Sequence, residues 1–367
     1  MYVHADHDEN IKRHHGHHAQ GPTLTTSPPG RATALAHPNI ALVKYWGKRD
    51  DALNLPASGS LSVTLDGLHT RTTVRFDPAL GEDDIVLNGR RDESESRKIG
   101  AFLDLLRARA GVATRAHVLS DNDFPTGAGL ASSASGFAAL VVAANDALGI
   151  DLGVRELSVL ARRGSGSAAR SIFGGFVEMA SGTRSDGEDA FATPLLEAEA
   201  WPLSVVVAIT ARAAKSTSSR VGMDLSRRTS PFYRDWIASG ANDLEAARNA
   251  VRMRDFDKLA EVGEASCLAM HAVMLSTRPG LIYWNGATVE CMQRVRGLRE
   301  RDGVGVFFTI DAGPQVKAVC LPDAAAPVAD ALRGVPGVQS VLVSGLGQGA
   351  RIVEDPAFED RVARDHA

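Results

Sequence analysis

Ile99, Phe102, Leu103, Leu105 and Leu106 recur at helical spacing, and that period predicts a helix over residues 96–110. Comparable apolar patterns predict helices over 137–148, 151–163, 242–270 and 284–301. Shorter apolar runs bounded by turn-forming residues predict strands at TTVRF (72–76), DIVLNGR (84–90) and RAHVL (115–119). The second of these leads into an Asn88-Gly89 turn. Four more strands are expected later, at LSVVVAIT (203–210), VGVFFTI (304–310), VKAVCL (316–321) and VQSVLVS (338–344). Residues 181–200 are polar and acidic, which predicts a surface excursion, and GSGSAARS (164–171) reads as a glycine-serine turn. Helices and strands mix without the strict alternation of a doubly wound sheet, so the expected class is α+β with two lobes. There is no internal repeat.

The chain has 367 residues, beyond the length of about 250–300 at which single cores stop growing. The expected division is a first lobe over 31–201 and a second over 202–367. Residues 1–30 lack any hydrophobic period and are rich in His and Pro, which predicts a disordered arm. Within it, His14, His15, His17 and His18 either chelate a metal or belong to a solvated tail or cloning remnant.

A hydrophobic fraction of 44% and a charged fraction of 23% are ordinary for a globular protein. The formal net charge of -4 gives no electrostatic reason to expect nucleic acid or an anionic membrane surface as partner. Phe137–Ala144 and Leu203–Ile209, the longest apolar runs, are too short to span a bilayer. Cys267, Cys291 and Cys320 are odd in number and lie inside apolar segments, so they read as reduced core thiols. No charged-then-apolar leader pattern opens the sequence, and a cytoplasmic location is expected.

The chemistry begins at DNDFPTGAGLASSASG (121–136). Gly127 and Gly129 let the backbone turn tightly and approach a ligand. A helix beginning after such a turn directs its N–H groups and positive dipole end at an anion, as a phosphate requires. Ser132 and Ser133 can cap that helix, bind phosphate or ligate magnesium. A plain Gly-Ser turn with an N-cap accounts for the motif equally well. The segment is not a Walker A loop: Gly47-Lys48 is followed by Arg49, and Leu42 stands at the first Gly position. Gly127, Gly129 and Ser132 nearly match a dinucleotide fingerprint, but no strand precedes the acidic candidate Asp151.

Pro125, Gly129, Leu130, Ser132, Ser133 and Ala134 together resemble the phosphate loop of the GHMP kinase superfamily. HPNIALVKYWGKRD (37–50), RRGSGSAARSIFGGF (162–176) and DAGPQVK (311–317) narrow this to a resemblance to diphosphomevalonate decarboxylases. KSTSSRVGM (215–223) and MHA (270–272) agree, and the likeness runs from about Arg31 to Val353. It implies a two-lobed GHMP-kinase-like fold with an active-site cleft between the lobes, commonly as a homodimer. It also implies ATP-dependent conversion of mevalonate 5-diphosphate to isopentenyl diphosphate in the mevalonate route to isoprenoids, with ATP as co-substrate and Mg2+ as cofactor.

Carried over residue by residue, the resemblance implies catalytic roles for Asp311, Lys44 and Arg170. It implies substrate contacts from Tyr45, Lys48, Ser165, Ser167, Arg170 and Ser219. ATP would lie on Pro125, Gly127, Ala128, Gly129, Leu130, Ala131, Ser132 and Ser133, with the metal taking at most one of the two serine hydroxyls and otherwise phosphate and water. Lys44 and Lys48 are expected to share a face, in a helix or a strand alike. His271 is expected in the core or behind the site.

The residue chemistry agrees with this. The tertiary hydroxyl of the substrate is a poor leaving group until phosphorylated, and loss of carbon dioxide then drives electrons into the new double bond. Asp311, after an apolar strand, can accept the hydroxyl's hydrogen bond, but an alcohol is about 12 units less acidic than a carboxylic acid. Prior deprotonation would cost about 16 kcal/mol, so proton transfer comes late and Asp311 mainly orients the oxygen. Arg170 can hold the carboxylate through parallel N–H bonds. Two positions depart from the family pattern: Ser58-Gly59 replaces Asn-Ser, and Gln315 replaces Asn after DAGP. Both are expected to face the substrate. That leaves a mevalonate 5-phosphate decarboxylase, a mevalonate 3-kinase and a non-catalytic sensor of nucleotide or isoprenoid intermediates as alternatives.

Overall fold

The computed structural model describes residues 30–124, 132–211 and 216–355. The histidine-rich arm and the turn residues Pro125, Gly127, Ala128, Gly129, Leu130 and Ala131 lie outside the described residues. In chain order the first elements are β1 (Arg31–Ala36), β2 (Asn39–Val43), β3 (Lys48–Asp50), β4 (Leu55–Pro56), β5 (Ser60–Thr64), β6 (Thr70–Asp77) and β7 (Asp84–Leu87). Then come α1 (Glu93–Ala110), β8 (Arg115–Asn122), α2 (Ser132–Leu148), α3 (Val154–Gly164), α4 (Ala168–Ser171), β9 (Phe176–Met179) and β10 (Ala192–Leu196). The remainder is β11 (Ser204–Ile209), α5 (Ser219–Thr229), α6 (Tyr233–Met253), α7 (Phe256–Leu275), α8 (Gly286–Asp302), β12 (Val306–Ile310), β13 (Val316–Cys320), α9 (Ala325–Arg333), β14 (Ser340–Ser344) and β15 (Arg351–Val353).

Three main sheets result: β15-β1-β6-β8-β7, β10-β9-β5-β2 and β12-β13-β11-β14. The first packs its apolar face on α1 and α2, with α3 against those helices and Val74, Val118, Phe102, Leu106 and Leu140 in a common core. The inner faces of the second and third sheets meet α6 and α7 in one continuous core that includes Leu42, Val63, Val207, Leu244 and Phe307. Behind the third sheet, α8 and α9 close a further core around Cys267, Cys291 and Cys320, all free and buried. Layered sheets with helices on their faces make this an α+β fold, as expected.

Local chemistry sets the helix ends. Asp92 caps α1 by accepting from Glu95 N at 2.9 Å, and Gly111 ends it in the left-handed region at φ 66°. The single helix expected over 242–270 is two. Arg254 turns to φ 54° and Asp255 caps α7 through Lys258 N at 2.9 Å. The apolar period survives the break because both helices bury one face in the same core. The expected glycine-serine turn at 164–171 contains the short helix α4, and the surface excursion at 181–200 contains β10, paired to β9. The last strand, β15, returns from the C-terminal part of the chain to pair with β1 in the first sheet.

Candidate active site

β2 is buried throughout and is followed directly by Lys44, whose backbone N–H donates to Ser266 Oγ on α7 at 3.0 Å. That anchor points the Lys44 side chain at the end of β12, where Nζ meets Asp311 Oδ1 at 2.7 Å. Lys317, the second residue of β13, reaches the other carboxylate oxygen at 3.2 Å. Burial on its own would raise the Asp311 pKa. The charges of Lys44 and Lys317 and the hydrogen bond from Lys44 outweigh it, and hold the carboxyl below the usual carboxylate range. Of this cluster only Asp311 keeps appreciable exposure, 27% of its side chain against 1% for each lysine. The acid therefore forms the floor of a cleft and the amines form its support.

Lys44 and Lys48 do not sit on one regular element. Between them Trp46 is pinned, its Nε1 donating to Ser226 Oγ at 3.0 Å and its carbonyl accepting from Trp236 Nε1 at 3.1 Å. Gly47 takes φ 131°, and a Cβ there would lie 2.1 Å from the Tyr233 hydroxyl oxygen, so only glycine fits the bend. The bend brings both lysines to the cleft by a route that neither helical nor strand periodicity describes. Burial lowers the Lys48 pKa first, and the nearby charge of Arg220 lowers it further, against a raising effect of Asp51.

The opposite wall is the α3–α4 turn. Ser165 Oγ lies 3.2 Å from Ser133 Oγ and 3.4 Å from Ser167 Oγ, so the two serine motifs meet. A Cβ on Gly166 would fall 2.6 Å from the Tyr45 hydroxyl oxygen, which shows how closely that ring backs the turn. Arg170, on α4, is buried. Its Nε donates to Asn39 Oδ1 at 3.2 Å and Ser62 Oγ at 3.0 Å, and Nη1 to Ser60 Oγ at 2.6 Å. Burial lowers its pKa to about 10 against raising effects of Asp311 and Tyr45, so it stays a cation at neutral pH. Of its five N–H donors, these contacts use the Nε–H and one on Nη1, which leaves the second on Nη1 and the pair on Nη2 for a ligand.

A cavity of about 490 Å³ is lined by Lys44, Tyr45, Lys48, Ser132, Ser133, Ser165, Ser167, Arg170, Ser219 and Asp311. Every expected catalytic and substrate-contact residue thus borders one space. Ser219 opens α5 there, beside the cap Ser218, rather than lying in a polar loop. A neighbouring cavity of about 620 Å³ runs along α1, β8 and α2 and shares Ser132, Ser133, Glu95 and Lys98 with the first. Among the described residues lining the first cavity are five cations (Lys44, Lys48, Lys98, Arg170, Arg220) and two carboxylates (Glu95, Asp311). A chain of net charge -4 thus concentrates positive charge in its cleft, which suits polyphosphates.

Lys98, Arg220 and Lys317 are cations of the site beyond those expected from the sequence. Lys98 and Arg220 sit on the polar faces of helices and carry no local mark. Lys317 does: a lone cation inside the apolar run VKAVC. His271 is buried on α7, its pKa lowered to about 3 by burial and then by Lys44, so it is a neutral ring behind the lysine. Gln315 and Ser58-Gly59 do not face the cleft. Gln315 braces the backbone, accepting from Thr210 N at 2.6 Å and donating to the Ala211 carbonyl at 2.5 Å. Gly59 leaves room for Leu244, whose Cδ2 would sit 2.5 Å from a Cβ.

No cluster of three or more His, Cys, Asp or Glu suited to a metal occurs among the described residues. The Ser132 and Ser133 hydroxyls at the junction of the two cavities fit a magnesium ion only if phosphate and water supply its other ligands.

Residues 36–192 match the diphosphomevalonate decarboxylase-like N-terminal domain, and 205–344 the mevalonate 5-diphosphate decarboxylase C-terminal domain. The human diphosphomevalonate decarboxylase is 35% identical over 384 residues, covering 90% of this chain and 95% of its own. The crystal structure of mevalonate diphosphate decarboxylase from Staphylococcus aureus superposes with a TM-score of 0.84 at 40% identity, covering 89% of this chain and 98% of that one. A further solved structure, described as a complex with MVAPP, AMPPCP and magnesium, has a TM-score of 0.82 at 41% identity, covering 89% and 99%. With both domain models matched in order and the similarity running through nearly all of the described chain, this protein belongs to the diphosphomevalonate decarboxylase family.

Proposed function

We propose that Asp311 and Lys44 act on the tertiary hydroxyl of mevalonate 5-diphosphate and Arg170 on its carboxylate, in the ATP-dependent decarboxylation that family membership assigns to this chain. The observation that carries these roles is the Lys44–Asp311 pair, 2.7 Å apart at the floor of a cleft bordered by both serine turns.

The hydroxyl oxygen attacks the γ-phosphorus of ATP, the bond to the β-phosphate oxygen breaks, and ADP leaves. Asp311 accepts the hydroxyl's hydrogen bond and aims a lone pair at phosphorus. Because its pKa lies below the ordinary carboxylate range, it is a weaker base than a free carboxylate, and the proton moves only as the loose transition state is crossed. Lys44, against the same carboxylate, stabilises negative charge developing on the hydroxyl oxygen. In the second stage the carbon–carbon bond to the carboxylate breaks, its electron pair forms the double bond, and the carbon–oxygen bond breaks as phosphate departs. The Nη1–Nη2 end of Arg170 positions the carboxylate and yields as its charge disappears. Lys48, Arg220 and the Ser165–Ser167 turn offer cation and hydroxyl donors to the terminal diphosphate. Ser132 or Ser133 would hold a magnesium ion through its hydroxyl, and the bound ion would supply neutralisation of polyphosphate charge.

The experiment offers Mg-ATP with mevalonate 5-diphosphate and, separately, with mevalonate 5-phosphate, and measures ADP and carbon dioxide together. Equal yields of both from the diphosphate are expected. Turnover of the monophosphate alone, ADP without carbon dioxide, or binding without turnover would each select one of the alternatives. No helix among the described residues is long and apolar enough to cross a membrane. The three buried free cysteines support a reducing, cytoplasmic setting, and the family likeness supports a homodimer.

A further inference from the structure

Lys317 lies in β13, between β12 and β11, opposite Thr309 on one neighbour and Val207 on the other. Its strand neighbours Val316, Ala318 and Cys320 face the core under α8 and α9, whereas Val319 belongs to the opposite core shared with β2 and α7. Alternation puts Lys317 on the Val319 side, wholly buried. An apolar side chain would suit that position and avoid desolvating an ammonium group. What the lysine provides instead is a contact with Asp311 Oδ2 at 3.2 Å, on the oxygen that Lys44 does not hold.

We propose that Lys317 is a positioning residue for the phosphoryl-transfer step: with Lys44 on one carboxylate oxygen and Lys317 on the other, the Asp311 carboxylate is fixed in its plane and kept ionised beneath the substrate hydroxyl. This rests on the function assigned to Asp311 above. A carboxylate held at one oxygen turns about its Cβ–Cγ bond; one held at both does not. The groups facing Asp311 are Lys44 after β2, Lys317 on β13, Arg170 on α4, and from α7 the neutral His271 ring and the Cys267 thiol. Burial and then Lys44 work against the Lys317 charge, and Asp311 supports it. Removing Lys317 takes away one of two contacting cations, so the carboxylate is held less firmly ionised and is free to turn away from the substrate hydroxyl.

The test measures ADP formation from Mg-ATP and mevalonate 5-diphosphate for the wild type, Lys317→Met and Lys317→Arg. For Lys317→Met we expect kcat to fall about tenfold at neutral pH, because the carboxylate loses its fixed orientation. KM for ATP should change less than about twofold, and Lys317→Arg should restore most of the rate. In an Asp311→Asn background Lys317→Met should cost nothing further. A rate identical to wild type, a loss that Lys317→Arg does not restore, or an equal further loss in the Asp311→Asn background overturns the inference. If Lys317→Met does not fold, Lys317→Gln carries the same comparison. Failure of the wild type to form ADP would instead overturn the assigned function.

Discussion

Asp311→Asn is expected to lower kcat for ADP formation by about 10³-fold while leaving both substrates able to bind. The amide can still contact the hydroxyl but carries no charge, and its nitrogen points donors where acceptors are needed. It also leaves Lys44 and Lys317 facing each other across a neutral group, with both lysine side chains 1% exposed. Those amines then repel, and the group that organised them is gone. Their uncompensated charge continues to attract anionic substrates, so dissociation constants for ATP and mevalonate 5-diphosphate should rise little or fall. Breaking a buried ion pair also destabilises the fold, so thermal unfolding of the variant must be recorded beside the rate. A folded Asp311→Asn protein with wild-type turnover would remove the carboxylate from the reaction.

Arg170→Ala is expected to lower kcat/KM for mevalonate 5-diphosphate by about 10²–10³-fold, with most of the effect in KM. The buried guanidinium is locked by Asn39, Ser60 and Ser62, so its free end is presented in one orientation. A grip on a carboxylate that must lose its charge contributes mainly by placing it, which is why binding suffers more than the chemical step. Arg170→Lys should not restore the rate, because an ammonium matches neither the three anchoring hydroxyl and amide oxygens nor a planar carboxylate. An unchanged kcat/KM for carbon dioxide release in Arg170→Ala would mean that the carboxylate is held elsewhere.

Much of this arrangement was legible along the chain, for reasons that differ between its parts. α1, α3 and α8 show themselves because one face is buried and the other is wet, which writes a period into the sequence. β1 and β2 escape that reading: RATALA and NIALV are buried on both faces over almost their whole length, so no alternation marks them. The break between α6 and α7 was hidden because the core-facing residues continue across it; Asp255, capping Lys258 N, was the available sign. In the site, Asp311 was legible from an apolar strand ending in an acid before a turn. The path from Lys44 to Lys48 was not, since it depends on Gly47 and on tryptophan contacts from α5 and α6. Gln315 and Gly59 misled in the opposite direction. They sit beside site segments, yet one satisfies two backbone groups and the other makes room for a helix.

The central claim is that the substrate's own tertiary oxygen is phosphorylated and then leaves. Mevalonate 5-diphosphate carrying ¹⁸O in its 3-hydroxyl, turned over with unlabelled Mg-ATP in unlabelled water, tests it directly. The account predicts that the inorganic phosphate released carries the labelled oxygen, one atom per molecule of carbon dioxide formed. Label recovered in water, with unlabelled phosphate, would contradict it.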